Sequence, residues 1–139
     1  MTYIETLGSN AVKVKKILAV ADTGKKNSAL AEISRALIEN SDKIIEANQK
    51  DLTAAKENGM SVSMQDRLML NEDRIKGIAS AVDELIKLED PIGKVDNGSV
   101  RPNGMRITKI RVPMGVIGMI YESRPNVTAD AATLCLKTG

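Results

Sequence analysis

Apolar residues recur every three or four positions through the first ninety residues, which is the period of an amphipathic helix. The first such stretch runs from about Tyr3 to Ala21 and is expected to end at Thr23-Gly24. The pattern predicts four helices over residues 1–90, forming a layer that packs on another part of the structure. Their apolar stripes comprise Ile4, Leu7, Ala11, Val14, Leu18 and Ala21, then Leu30, Ile33 and Leu37, then Ile44, Ile45 and Leu52, and finally Ile75, Ile78, Val82 and Leu85.

Small polar residues and glycines predict where these helices begin and end. Ser28 is the expected N-cap of the second helix, and Asn71 that of the fourth. Asn58-Gly59 should terminate the third helix. Residues Ser61–Leu70 are expected to form a loop with a short helical piece at Gln65–Met69.

The pattern changes at Pro91, and residues 91–113 predict an exposed β-hairpin. Asn97-Gly98 and Asn103-Gly104 are turn signals. Apolar and polar residues then alternate, but the alternation changes phase after Ile107. A phase change within one strand predicts a β-bulge near Thr108–Lys109.

Residues 114–139 predict a strand, a turn and a helix. Met114–Tyr121 is a continuous apolar run, which is typical of a strand buried on both faces. A polar turn follows, in which Pro125 stands where a helix could begin. The helical pattern of Ala129–Lys137 ends at Gly139, a possible C-cap. The fold class is therefore α/β, and the turn lies where such sheets bind ligands.

Composition excludes several kinds of site. The chain has 139 residues, no His and one Cys, so it offers no His-based triad or metal site, no metal is expected, and an intrachain disulfide is impossible. A net charge of +2 with interspersed signs argues against nucleic acid as a partner. Its apolar runs are too short to span a bilayer and no signal peptide is evident, so a cytoplasmic protein is expected.

One string within the predicted strand and turn resembles a known family. Residues 111–128 read Arg-Val-Pro-Met-Gly-Val-Ile-Gly-Met-Ile-Tyr-Glu-Ser-Arg-Pro-Asn-Val-Thr. This is similar to gamma-glutamyl phosphate reductase, also called glutamate-5-semialdehyde dehydrogenase, in the aldehyde dehydrogenase superfamily. The resemblance runs the whole length but implies an amino-terminal part of such an enzyme. Residues 1–139 would belong to its cofactor-binding domain, as a helical layer (1–90), a β-arm (91–113) and the first strand-turn-helix (114–139), incomplete at the C-terminus.

The resemblance also implies an activity. The family uses NADPH to reduce L-glutamyl 5-phosphate to L-glutamate 5-semialdehyde and phosphate in proline biosynthesis. A Cys thiolate displaces phosphate to give a thioester, which hydride then reduces. That Cys lies in a region downstream of this sequence, so the fragment is expected to be inactive alone. The β-arm serves subunit association in the family, which implies a homo-oligomer at full length.

Site residues are carried over to the turn after the strand. Asn126 would supply an amide that holds the oxyanion; the alternative is that it N-caps the following helix. Arg124 would bind an anionic group of the substrate or a phosphate of the cofactor, or else form an ion pair with a carboxylate such as Glu122. Tyr121, Glu122 and Ser123 are weaker candidates for contact with NADP.

Other polar residues are expected to be structural. Cys135 lies within a predicted helix between two leucines, where a thiol packs as a small hydrophobe. Asn48 and Asp51 belong to a string that resembles one found in aldehyde dehydrogenases, and each is expected to hydrogen-bond a neighbouring loop.

Two other functions are compatible with the sequence. Another acyl-reducing aldehyde dehydrogenase, such as an acyl-CoA reductase, would share the fold, although the Glu-Ser-Arg-Pro-Asn-Val-Thr string speaks against it. A non-catalytic helical interaction module would keep only the packing surfaces.

Overall fold

The structure is a computed structural model that describes residues 2–122 and 124–139. In this part of the chain, helices precede and follow a β-hairpin. The elements are α1 (Tyr3–Ala19), α2 (Thr23–Glu39), α3 (Ser41–Glu57), α4 (Val62–Leu68), α5 (Glu72–Lys87), β1 (Val95–Val100), β2 (Arg106–Ile110) and α6 (Pro125–Thr138). The predicted helical layer and hairpin are confirmed.

The hydrophobic core lies among α2, α5 and α6. Leu30 on α2 is completely buried, and it packs with Val82 and Leu85 of α5. Half-buried Leu37, Ile86 and Leu136 surround this cluster. The spacing of three or four residues thus predicted the buried faces of α2 and α5, because only one face of each helix meets its neighbours.

Side-chain caps set where the helices begin. Asn71 accepts a hydrogen bond from the backbone N–H of Arg74 (2.8 Å), which confirms it as the cap of α5. The prediction for α2 is wrong, since Asp22 caps that helix through the N–H of Lys25 (2.7 Å) and Ser28 lies inside it. A carboxylate at the N-cap also complements the positive end of the helix dipole, and Gly24 is tolerated in the first turn.

Helix α1 forms as predicted, but its apolar stripe is not covered. It contains no buried residue, and Ile4 and Ile17 are 78% and 66% exposed. The surface it would pack on is not supplied by residues 2–122 and 124–139. Within the same residues, no helix combines the length and the apolar content that crossing a membrane requires.

Strands β1 and β2 pair antiparallel in an exposed hairpin. Asn103-Gly104 forms the connecting turn, with Gly104 at a φ of +83°, whereas Asn97-Gly98 lies inside β1 and is not a turn. The register shifts between Val95 and Asn97, so the bulge is in β1, opposite the predicted position near Lys109. The extra residue lies in β1, so the alternation of apolar and polar residues along β2 could not show which strand contains the bulge.

The predicted strand Met114–Tyr121 is not formed. These residues have no regular secondary structure and are exposed, with Met114 at 90%. A central strand needs neighbours to accept and donate its backbone hydrogen bonds, and the only sheet in the described residues is the hairpin. Gly115, at a φ of +99°, also departs from strand geometry. The predicted helix does form and begins at Pro125.

Candidate functional site

The candidate site is the cleft where the start of α6 approaches α3, α4 and α5. Pro125 is the first residue of α6, and Arg124 precedes it with extended backbone. Proline has no N–H to leave unpaired, and its fixed φ suits the first helical turn. The N-cap residue, Arg124, makes no side-chain capping hydrogen bond to this helix. Tyr121, Glu122, Arg124 and Asn126 therefore lie at one end of α6, beside the shorter helix α4.

Asn48 fixes the chain that leaves α4. Its side-chain Nδ2 donates to the carbonyl oxygen of Leu68 (2.9 Å), and the N–H of Leu70 donates to its Oδ1 (2.7 Å). The Asn48 side chain is 4% exposed, so water competes little for these bonds. The prediction that Asn48 binds a neighbouring loop is confirmed.

Arg74 secures the other side of α4. Its guanidinium pairs with the carboxylate of Asp66 (2.9 Å) and donates to the carbonyl oxygen of Met69 (2.8 Å) and to that of Asp66. Asn48 and Arg74 together hold α4 and its exit loop at fixed positions, which gives the cleft a defined wall.

Three cavities open along this wall. The first, of about 370 Å³, is lined by Met60, Met64, Arg67, Leu68, Glu122 and Arg124. The second, of about 520 Å³, lies between α3 and Tyr121, Arg124 and Thr128. The third, of about 290 Å³, lies between Arg67, Gly77 and Asn126. Each of the four described site residues proposed from sequence, Tyr121, Glu122, Arg124 and Asn126, lines at least one of them.

Tyr121 is held by α6. Its hydroxyl is hydrogen-bonded to the hydroxyl of Thr128 at 2.6 Å, while the residue remains 43% exposed. This bond fixes the ring beside the second cavity and leaves its surface accessible.

Arg124 and Glu122 form a loose ion pair. The Nε of Arg124 lies 3.6 Å from a carboxylate oxygen of Glu122, beyond hydrogen-bonding distance, and both side chains are well exposed. Such a pair contributes little stability and can exchange for another anion. Ser123, the remaining cofactor candidate, lies outside the described residues.

Asn126 is the second residue of α6 and does not cap it. Its Nδ2 donates to a carboxylate oxygen of Asp130 one turn later (3.1 Å), and the residue is exposed. The N-cap alternative is therefore wrong, because Arg124 occupies that position. The amide is presented at the rim of the third cavity, with one of its two N–H groups engaged.

Cys135 lies apart from this cleft. It is half-buried on α6 and lines an apolar groove together with Leu18, Ile92 and Ile117. This is the environment expected of a packing thiol.

A buried polar network behind the cleft was not foreseen from sequence. Lys26, 3% exposed, pairs with the carboxylate of Asp90 at 2.5 Å. Lys137, 2% exposed, donates from Nζ to Oδ1 of Asn27 (2.7 Å) and to the carbonyl oxygen of Ile86 (3.2 Å). The network ties α6 to α2 and α5, and so fixes the direction of the helix that carries Asn126.

The same network perturbs the pKa of Asp90. Burial by itself would raise it, but hydrogen bonds from Lys26, from the backbone N–H of Ile92 and from the hydroxyl of Thr23, with the charge of Lys26, hold it below its usual value. Sequence could not reveal this, because lysines are mostly exposed and no pattern marks the exceptions.

No protein-family model matches the chain. Curated proteins match it over nearly all of its length. The gamma-glutamyl phosphate reductase of Caldanaerobacter subterraneus is 51% identical over 136 residues, which cover 98% of this chain and 33% of that protein. That of Clostridium perfringens is 54% identical over 132 residues, which cover 95% of this chain and 32% of that protein. The chain thus spans about a third of the length of these relatives.

Solved structures give the same result. The crystal structure of gamma-glutamyl phosphate reductase from Thermotoga maritima superposes with a TM-score of 0.90 at 42% identity, covering 94% of this chain and 31% of that one. The crystal structure of gamma-glutamyl phosphate reductase from Saccharomyces cerevisiae gives a TM-score of 0.92 at 33% identity. The match covers 99% of this chain and 35% of the yeast chain. The arrangement of helices and hairpin is thus shared with proteins that carry further chain.

Proposed function

Because the chain belongs to the gamma-glutamyl phosphate reductase family, we propose that it forms part of an enzyme that reduces L-glutamyl 5-phosphate to L-glutamate 5-semialdehyde and phosphate. The observation that carries this proposal is sequence identity of 51–54% across 95–98% of the chain. The reaction would serve proline biosynthesis in the cytoplasm, with NADPH as the reductant.

Asn126 is proposed as the residue that stabilises developing negative charge. Reduction of an acyl group passes through a tetrahedral state in which the carbonyl oxygen becomes an oxyanion, and preorganised N–H donors stabilise it strongly. The amide of Asn126 retains one N–H beyond its bond to Asp130, and the bond to Asp130 fixes the amide plane. Asp130 is therefore proposed as its positioning residue.

Arg124 is proposed to bind an anionic group of the substrate. Its pair with Glu122 is long and exposed, so a phosphate or carboxylate can replace Glu122 with better geometry. A guanidinium presents two parallel N–H groups that match two oxygens of such a group.

Tyr121, Glu122 and Ser123 are proposed as contacts to the nicotinamide cofactor. The exposed ring of Tyr121, with its hydroxyl fixed by Thr128, fits packing against a flat or ribose group. The Glu122 carboxylate can accept hydrogen bonds from ribose hydroxyls. When bound, the cofactor supplies hydride; these residues would only hold and orient one end of it.

The domain organisation follows the same proposal. Residues 1–139 form the amino-terminal part of the cofactor-binding domain, with 1–90 as a helical layer, 91–113 as the β-arm and 114–139 as the first strand-turn-helix. The strand would form once neighbouring strands are present, which accounts for its apolar composition. The exposed hairpin would join subunits of a homo-oligomer.

The test uses a full-length reductase that contains this sequence. Phosphate-dependent oxidation of glutamate 5-semialdehyde is assayed with the unaltered enzyme, Asn126→Ala and Asn126→Asp. Losing one oxyanion donor should lower the rate of the chemical step about 10²–10³-fold. Aspartate should be as damaging as alanine, because it brings negative charge to the oxyanion.

Thermal melts provide the control, since Asn126 is exposed and caps nothing. Both variants should unfold near the temperature of the unaltered enzyme. An Asp variant that reacts at the original rate would remove Asn126 from the catalytic residues. An unaltered enzyme that shows no phosphate-dependent oxidation would refute the proposed activity itself.

A further inference from the structure

The first cavity of the cleft contains a second arginine that the family resemblance did not assign. Arg67, in the last turn of α4, lines it together with Arg124 and Glu122. Met60, Met64 and Leu68 form the rest of the wall. Two arginines therefore line one cavity together with a single acidic residue.

Arg67 differs from Arg74 and Arg124 because it forms no ion pair with a carboxylate in the described part of the chain. The adjacent Asp66 pairs with Arg74, and Glu122 is the partner of Arg124. Among the described residues, no carboxylate lies within ion-pairing distance of Arg67. Its charge partly complements the carboxyl end of α4, but that interaction leaves the guanidinium donors unused.

Arg67 also lines the third cavity, next to Asn126. It therefore lines one cavity with the proposed anion-binding residue and another with the proposed oxyanion donor. In an acyl phosphate, the phosphorus is joined through one oxygen to the carbonyl carbon. A residue that binds the phosphate must accordingly lie close to the residue that binds the carbonyl oxygen.

We propose that Arg67 and Arg124 together bind the phosphate of the substrate, as two guanidiniums converging on one dianionic group. This inference rests on the proposed function and names residues for its phosphate. Hydrogen bonds from a guanidinium to phosphate oxygens are charge-assisted and therefore stronger than those between neutral groups. Glu122 is displaced from Arg124 when phosphate binds, and returns when it leaves.

The experiment measures inorganic phosphate directly, without turnover. Isothermal titration calorimetry gives the Kd of phosphate for the full-length reductase containing this sequence, and for Arg67→Ala, Arg67→Lys and Arg35→Ala. Arg35 is the matched control, because it is an exposed helical arginine that pairs with Glu39 on α2. In parallel, KM values for phosphate and for NADP⁺ are measured in the oxidation direction.

Arg67→Ala loses hydrogen bonds to a charged group, so its affinity for phosphate should be about 10- to 100-fold weaker. Its KM for phosphate should rise by about the same factor. Arg67→Lys keeps the positive charge but loses the planar pair of N–H donors, so a smaller loss of phosphate affinity is expected. This variant also tests the inference if the alanine variant fails to fold. Arg35→Ala should bind phosphate normally.

Phosphate affinity within about twofold of the unaltered enzyme in both Arg67 variants would overturn the inference. So would an increased KM for NADP⁺ with unchanged phosphate affinity, because Arg67 would then contact the cofactor. These two outcomes differ from failure of the proposed function. In that case the unaltered enzyme itself would show no phosphate-dependent oxidation of glutamate 5-semialdehyde.

Discussion

Replacing Asn48 with alanine should destabilise the wall of the cleft. Asn48 satisfies the carbonyl of Leu68 and the N–H of Leu70 at 2.9 and 2.7 Å, in a site where it is 4% exposed. Alanine leaves both backbone groups without a partner. An unsatisfied buried polar group costs about 1–3 kcal/mol.

The two groups differ in how well water can replace the lost bond. Leu70 is buried, so its N–H should carry the full penalty, whereas Leu68 is half-buried and lines an open cavity. With about 1–3 kcal/mol for the N–H of Leu70 and about 1 kcal/mol for the carbonyl of Leu68, the sum is expected at about 2–4 kcal/mol. Because each 1.4 kcal/mol is tenfold in an equilibrium constant, the equilibrium constant for local opening at Leu70 should rise roughly 30- to 700-fold.

Hydrogen exchange read by mass spectrometry tests this in the full-length enzyme, following peptides that contain Leu70. The matched control is Gln49→Ala, an exposed neighbour on α3, which should change stability by less than about 0.5 kcal/mol. Unchanged protection at Leu70 in Asn48→Ala, with a free energy of unfolding within the range of the control, would refute the reasoning.

Two further predictions concern stability. Since the pKa of Asp90 is lower in the folded state, its contribution is present above the unfolded pKa of about 3.9 and is lost as pH falls through the lower, folded value. Acid titration should thus show a steeper loss of stability below pH ~4 in the unaltered protein than in Asp90→Asn, and parallel curves would contradict it. Gly77 lies within α5, and a β-carbon added to it would meet nothing within 4 Å apart from its chain neighbours and the backbone of its own helix. Gly77→Ala should therefore raise the free energy of unfolding by about 0.5–1 kcal/mol, measured by urea denaturation, and a decrease in that free energy would contradict the prediction.

Local signals in the sequence predicted the helices and the turn at Asn103-Gly104. The N-cap of α5 at Asn71 and the start of α6 at Pro125 depend on neighbours within a few residues, and both are confirmed. Where a local signal was duplicated, as with Asp22 and Ser28 at α2, the sequence did not reveal which residue caps the helix.

Features that depend on distant partners were not predictable in the same way. The apolar run Met114–Tyr121 has strand composition, yet strand formation requires neighbouring backbone that residues 2–122 and 124–139 do not provide. Arg67 and Lys137 have no distinguishing pattern, and their surroundings arise only when separate helices meet. The catalytic roles of Asn126 and Arg124 remain predictions, to be decided by kinetics.

The hydrogen bond between Lys137 and Asn27 joins residues 110 positions apart, and this separation affects how the layer forms during synthesis. Ribosomes add about 5–20 residues per second, so α2 emerges roughly 5–20 s before its partner on α6 exists. Throughout that interval the core face of α2, with Leu30, has no α6 to cover it. Nascent chains arrested before Lys137 should accordingly bind a chaperone that recognises apolar helices more strongly than chains in which α6 has left the ribosome.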